Sequence, residues 1–150
     1  MNSEIGRQQV LPIFRIRYFI SPPMYSLSKP ERLCSKILID ELLTSKVSFV
    51  KYPYRIVVKE SSQPGAFPAR MAISVSKKRF KRAVKRNRIK RLTREAYRLN
   101  KIPFYSTIPS GHTLDILFIY LDHNLPDFLK TEKSVKNALY KISKIYNFSS

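Results

Sequence analysis

"KKRFKRAVKRNRIKRLTREAYRLNK" (Lys77–Lys101) holds thirteen Lys or Arg and a single acid, Glu95. It carries +12 of the chain's formal +19, leaving +7 for the other 125 residues. The charge is therefore a local device. From Arg82 to Lys101 the stretch has helical periodicity, with Ile89, Leu92, Ala96 and Leu99 at alternating three- and four-residue steps on the predicted core side. The opposite side carries Arg86, Asn87, Lys90, Arg91, Arg94 and Arg98. An ordinary solvated helix face mixes signs, because like charges one turn apart destabilise it by roughly 0.2–0.5 kcal/mol per pair. A face this one-sided calls for an external anion. Phosphate backbone suits it, since Arg binds phosphate through two parallel bonds and Asn reaches phosphate, sugar or base edges.

Working outward, "RMAISVS" (Arg70–Ser76) reads as a strand leading into the basic stretch, and "SSQPGAFP" before it as a loop. "VSFVKYPYRIVVKE" (Val47–Glu60) alternates so regularly that it reads as one strand. Its predicted faces are Val50, Tyr52, Tyr54, Ile56 and Val58 on one side, and Phe49, Lys51, Arg55, Val57 and Lys59 on the other. "SKPERLCSKILIDELLTSK" (Ser28–Lys46) reads as a single first helix with a Ser cap, Pro30 in the first turn and an apolar stripe of Leu33, Ile37, Leu42 and Leu43. Beyond the basic helix, "KIPFYSTIPSGH" reads as a loop and "TLDILFIYL" as a central strand buried on both faces. "LKTEKSVKNALYKISKIYNF" reads as an amphipathic terminal helix built on Val135, Leu139, Ile142 and Ile145/Tyr146.

A chain of 150 residues with 43% hydrophobic content has the size and composition of one globular domain. Its basicity predicts a polyanionic partner, with nucleic acid ahead of anionic membrane. Arg15 and Arg17 interrupt the apolar run Val10–Ile20, which is too short to span a bilayer and lacks a cleavage site. Residues 1–26 read as an extension with translation starting at Met24, and residues 27–147 as the domain. The single Cys34 reads as a buried, inert thiol in a reducing compartment. His112 and His123 stand alone, Asp115, Asp122 and Asp127 form no convincing metal pair, and no nucleophile motif or Gly-rich phosphate loop is present. No catalytic or metal-ligating residue is assigned. A general RNA-binding module shares the charge argument, while a DNA binder lacks a helix-turn-helix or zinc framework.

"ISVSKKRFKRAVKRNRIKRLTREAYR" closely resembles the signature of the bacterial ribonuclease P protein component: a strand ending in Ser-Lys-Lys, a short connection and an Arg-Asn-Arg helix. The flanks "ERLCSKILIDELL" and "DILFIYL" resemble that family's first helix and last strand, so the resemblance covers roughly Leu27 to Tyr146. It implies an α+β fold, a two-layer α/β sandwich of about four strands and three helices with a left-handed βαβ crossover. The implied function is that of the protein subunit of a cytoplasmic ribonucleoprotein whose RNA, holding Mg²⁺, removes the 5′ leader of precursor tRNA. The implied partners are the RNA subunit and precursor tRNA, with no membrane and no obligate protein partner. The RNA-subunit site then comprises Lys77, Lys78, Arg82, Arg86, Asn87, Arg88, Lys90, Arg91, Arg94 and Arg98, and the double variant Arg86→Ala/Arg91→Ala is expected to weaken RNA binding with the fold intact. A cleft between the first helix and the sheet would hold the leader. An ungapped alignment puts Ile39, Leu43 and Val57 there, in place of the family's aromatic rings. Phe49, Lys51 and Arg55 join them as neighbours on the predicted strand face.

Overall fold

The computed structural model describes residues 26–147; the expected start at Met24 and the extension up to residue 25 lie outside the described residues. After a short 3₁₀ turn at Lys29–Glu31, the elements are α1 (Lys36–Leu43), β1 (Ser48–Lys51), β2 (Tyr54–Glu60), β3 (Ala69–Ser74), α2 (Ala83–Tyr105), β4 (Leu114–Tyr120) and α3 (Phe128–Ile145). The four strands form one mixed sheet in the order β1-β2-β4-β3, with β3 and β4 parallel and the other pairs antiparallel. A parallel pair needs a long crossover, and α2 supplies it.

Two readings of the sequence change. The expected single strand Val47–Glu60 is a hairpin, turned at Tyr52 and the cis-linked Pro53, so the fourth strand lies inside it. Uninterrupted alternation concealed the reversal, because a hairpin preserves period two within each arm. The expected first helix is also divided. Pro30 belongs to the 3₁₀ turn, Arg32 makes a bridge to Met71, and α1 starts only where the Ser35 hydroxyl accepts the Leu38 N–H. That bridge leaves Cys34 exposed, not buried as expected.

Both faces of the sheet are covered. Leu33, Leu38 and Leu42 pack on Val57 and Leu117 on one face. The larger core on the other face joins Tyr54, Ile56, Val58, Met71, Ile116 and Phe118 to Ile89, Ala96 and Tyr97 of α2 and Val135, Leu139 and Ile142 of α3. β4 is the central strand and is buried along nearly its whole length. Its one acid, Asp115, meets Arg70 at 2.8 Å; burial still raises the carboxyl pKa, against the pull of Arg70.

The α2 helix buries Ile89, Thr93, Ala96, Tyr97, Lys101 and Phe104. Leu92 is only half-buried and Leu99 is 40% exposed, contrary to the expected stripe. The helix meets both the sheet and α3, so large rings displace the leucines from the contact. It also runs through Pro103, where a loop is expected. Proline removes one helical bond, but this lies in the last turn, and Phe104 and Tyr105 anchor that turn to the core and to Glu31.

Candidate nucleic-acid interface

Between β3 and α2 the chain is held rigidly by its own side chains. Phe80 is buried against Tyr120, with ring centroids 6.0 Å apart, and its N–H donates to the Ser76 carbonyl at 3.1 Å. Arg79 Nη1 donates to the Tyr120 carbonyl at 3.0 Å. Arg86 Nη1 reaches back to the carbonyls of Phe80 and Lys81 at 2.7 and 2.9 Å. Fixed between these anchors, Lys77, Lys78, Lys81, Arg82 and Lys85 are exposed. The first turn of α2 has no acid and no side-chain cap, so its positive dipole end lies among cations with no carboxylate to offset it. That arrangement favours an anion.

Along α2, Asn87, Arg88, Arg91 and Arg94 are exposed; Asn87, Arg91 and Arg94 lie on the side read as polar from the helical spacing. Three assigned residues differ. Arg86 points at the connection, where its bonds are structural. Lys90 is half-buried. Arg98 is bound to Glu95, which lowers the Glu95 pKa and raises that of Arg98 through their hydrogen bond. Lys81 and Lys85 belong to the same surface but are absent from the expected set; the density of cations ahead of the Arg-Asn-Arg triplet was the available signal.

The second expected group is divided between opposite faces of the sheet. Directly paired residues on neighbouring strands point the same way, and Phe49 pairs with Ile56 while Lys51 pairs with Tyr54. Both therefore lie on the α2/α3 face; Phe49 packs on the larger core, with Lys141 Nζ 4.9 Å from its ring centroid. Val50 pairs with Arg55, Arg55 with Ile119, and Ser74 with Ile119, giving a cross-sheet row on the α1 face. Ile39 and Ile119 are half-buried at the edge of the α1 cluster. Val57 is sealed beneath α1, and Leu43 is 57% exposed. The residues left exposed or half-buried on this face are therefore Ile39 of α1 and the row Val50, Arg55, Ile119 and Ser74, which lies at the end of the sheet from which β3 leads to Lys77 and Lys78.

Among the described residues, no three His, Cys, Asp or Glu side chains converge to hold a metal ion. No helix there is long and apolar enough to cross a membrane.

Residues 27–143 match the family model for Ribonuclease P. The chain belongs to the ribonuclease P protein family. It is 41% identical over 124 residues to the ribonuclease P protein component of Porphyromonas gingivalis strain W83, covering 82% of this chain and 90% of that protein. The solved RNase P protein of Staphylococcus aureus aligns with TM-score 0.60 at 24% identity, over 79% of this chain and all of that one. The RNase P protein from Thermotoga maritima aligns with TM-score 0.58 at 24% identity, over 74% and 96% of the two chains. These structural neighbours share the ribonuclease P protein fold.

Proposed function

We propose that this chain is the protein subunit of ribonuclease P and binds the RNA subunit through Lys77–Lys85 and the exposed side of α2. The observation that supports it is the rigid, acid-free start of α2, whose unneutralised cations favour a phosphate partner. The surface of Ile39, Val50, Arg55, Ile119 and Ser74 would take the single-stranded 5′ leader of precursor tRNA. Phe49 faces away from it, so leader affinity rests on apolar contact and on Arg55 rather than on base stacking, which contributes roughly 1–3 kcal/mol per base elsewhere. This surface and the basic connection meet at one end of the sheet, which would bring the leader beside the RNA subunit.

The three aspartates Asp115, Asp122 and Asp127 do not combine into a Mg²⁺ site: Asp115 is held by Arg70, Asp122 and Asp127 accept backbone N–H groups, and no third ligand converges on them among the described residues. We assign Mg²⁺ and the hydrolysis to the RNA, with the protein lowering the electrostatic cost of assembling two polyanions in the cytoplasm. The test is multiple-turnover cleavage of a leader-bearing precursor tRNA by a bacterial ribonuclease P RNA at low Mg²⁺. Addition of the protein should restore cleavage at the mature 5′ end. Tight RNA binding without rescue by the cognate RNA would leave only a general RNA-binding module.

A further inference from the structure

The terminal helix presents a second surface of one sign. Lys130, Lys133, Lys136, Lys141 and Lys144 are all exposed, and at 3.6 residues per turn they project away from the buried Val135, Leu139 and Ile142. The only acid within α3, Glu132, accepts a bond from Asn100 of α2 at 3.1 Å, which turns it to the seam between the helices. Two of the lysines are steadied by rings. Lys141 lies over Phe49, and Lys144 is 5.1 Å from the ring centroid of Tyr140, itself 64% exposed.

At its N-terminal end the row enters a depression of about 530 Å³ lined by Lys130, Lys133, Tyr52 and Tyr120. The acids of this depression, Asp122 and Asp127, are occupied by the N–H groups of His123, Asn124 and Lys130. Its Tyr120 wall is tied to Arg79. The depression therefore links the α3 lysines to the basic connection ahead of α2.

We propose that the α3 lysine row is a second RNA-binding surface, which takes the phosphate backbone of a double-helical RNA segment. The inference rests on the chain being an RNA-binding subunit but not on the contacts assigned to α2. Charge complementarity selects the occupant. Lysine ammonium groups are mobile point charges suited to successive phosphates, and the row spans about 21 Å at 1.5 Å per residue. An anionic lipid surface fits less well, because surface-bound helices insert a continuous apolar face, whereas Val135, Leu139 and Ile142 are spent on the core and Leu129, Tyr140 and Ile145 are the exposed apolar side chains of α3. The α1 face lies across the sheet, so both surfaces can be filled at once.

The test titrates the full chain against a fluorescent RNA duplex across a salt series. Lys130→Ala/Lys133→Ala/Lys136→Ala is compared with Lys29→Ala/Lys36→Ala/Lys46→Ala, which removes equal charge from exposed positions elsewhere, and with Arg88→Ala/Arg91→Ala in α2. Alanine at exposed helical sites preserves the helix, and an unchanged Tm verifies it. The α3 variant should bind about tenfold more weakly and flatten the log K against log salt slope by about two to three, with the charge-matched control within about twofold of the wild type. Equal weakening of the α3 variant and the control overturns the proposal, as does loss of binding to phosphatidylglycerol vesicles with duplex affinity unchanged. The α2 variant is read separately, so failure of the α2 assignment appears there and not in the α3 comparison.

Discussion

The ammonium of Lys101 lies against the carboxylate of Glu31, seventy residues away in sequence, with the two side chains 2% and 1% exposed. The Tyr105 hydroxyl donates to the same carboxylate at 2.7 Å, and Lys101 also donates to the Ser26 carbonyl. This cluster ties the start of the domain to the last turns of α2. Burial lowers the Lys101 pKa, and the contact with Glu31 works in the opposite direction.

Removing one partner of such a pair leaves a buried charge without compensation. Glu31→Gln should destabilise the fold by about 3–5 kcal/mol, whereas Glu31→Gln/Lys101→Met, which removes the unpaired ammonium and keeps an acceptor for Tyr105 and Ser28, should recover part of that loss. Urea unfolding of the two variants checks the order; a double variant no more stable than the single one would argue against the pair as the source.

The arginines of α2 should separate by role. Arg86→Ala removes two bonds to the connection and should lower stability by about 1.5–3 kcal/mol, so the expectation of an intact fold for Arg86→Ala/Arg91→Ala is revised. Arg91→Ala should stay within about 0.5 kcal/mol of wild type yet bind the RNA subunit more weakly. Thermal unfolding and filter binding on the same samples test the division.

Phe49 and Arg55 should likewise part. Phe49→Ala should lower stability by about 1–3 kcal/mol through lost packing and leave discrimination between precursor and mature tRNA unchanged. Arg55→Ala should weaken precursor binding relative to mature tRNA with little change in stability. Paired affinities for the two tRNA forms decide the matter, and loss of discrimination in Phe49→Ala would return Phe49 to the leader surface.

Alkaline pH should unfold the protein through its buried phenols. Burial raises the pKa of Tyr54, Tyr97, Tyr105 and Tyr120. Above the unfolded tyrosine value of about 10, the folded state thus holds protons that the unfolded chain releases. Stability from these groups is complete below that value and is lost as pH rises towards the folded values. Lys101, with its pKa lowered, acts in the opposite sense over part of this range but is one group against four. Urea midpoints should fall from pH 9 to pH 11, and Tyr97→Phe should make the fall shallower.

Several elements were legible because their signals are local. The basic helix, the buried strand Leu114–Tyr120 and the amphipathic α3 each follow from periodicity within one segment, and so does the one-sided charge at Lys77–Lys101. The row of residues on the α1 face was not legible, because it depends on register. A reversal at Tyr52-Pro53 turns Phe49 and Lys51 away from Arg55 and Val57, although a continuous strand would align all four. The bonds of Arg86 were not legible for a similar reason, since nothing in its spacing records that the preceding turn brings the Phe80 and Lys81 carbonyls within reach.

By itself, the sequence determined which segments carry charge, which are apolar and where the Arg-Asn-Arg helix must lie, since composition and short-range periodicity are properties of contiguous residues. Only the tertiary structure decided which cations stay free, which face Phe49 takes and that Glu31 meets Lys101 in the core. Those outcomes depend on strand pairing and burial between distant residues, where a one-residue change of register reverses a side chain's face.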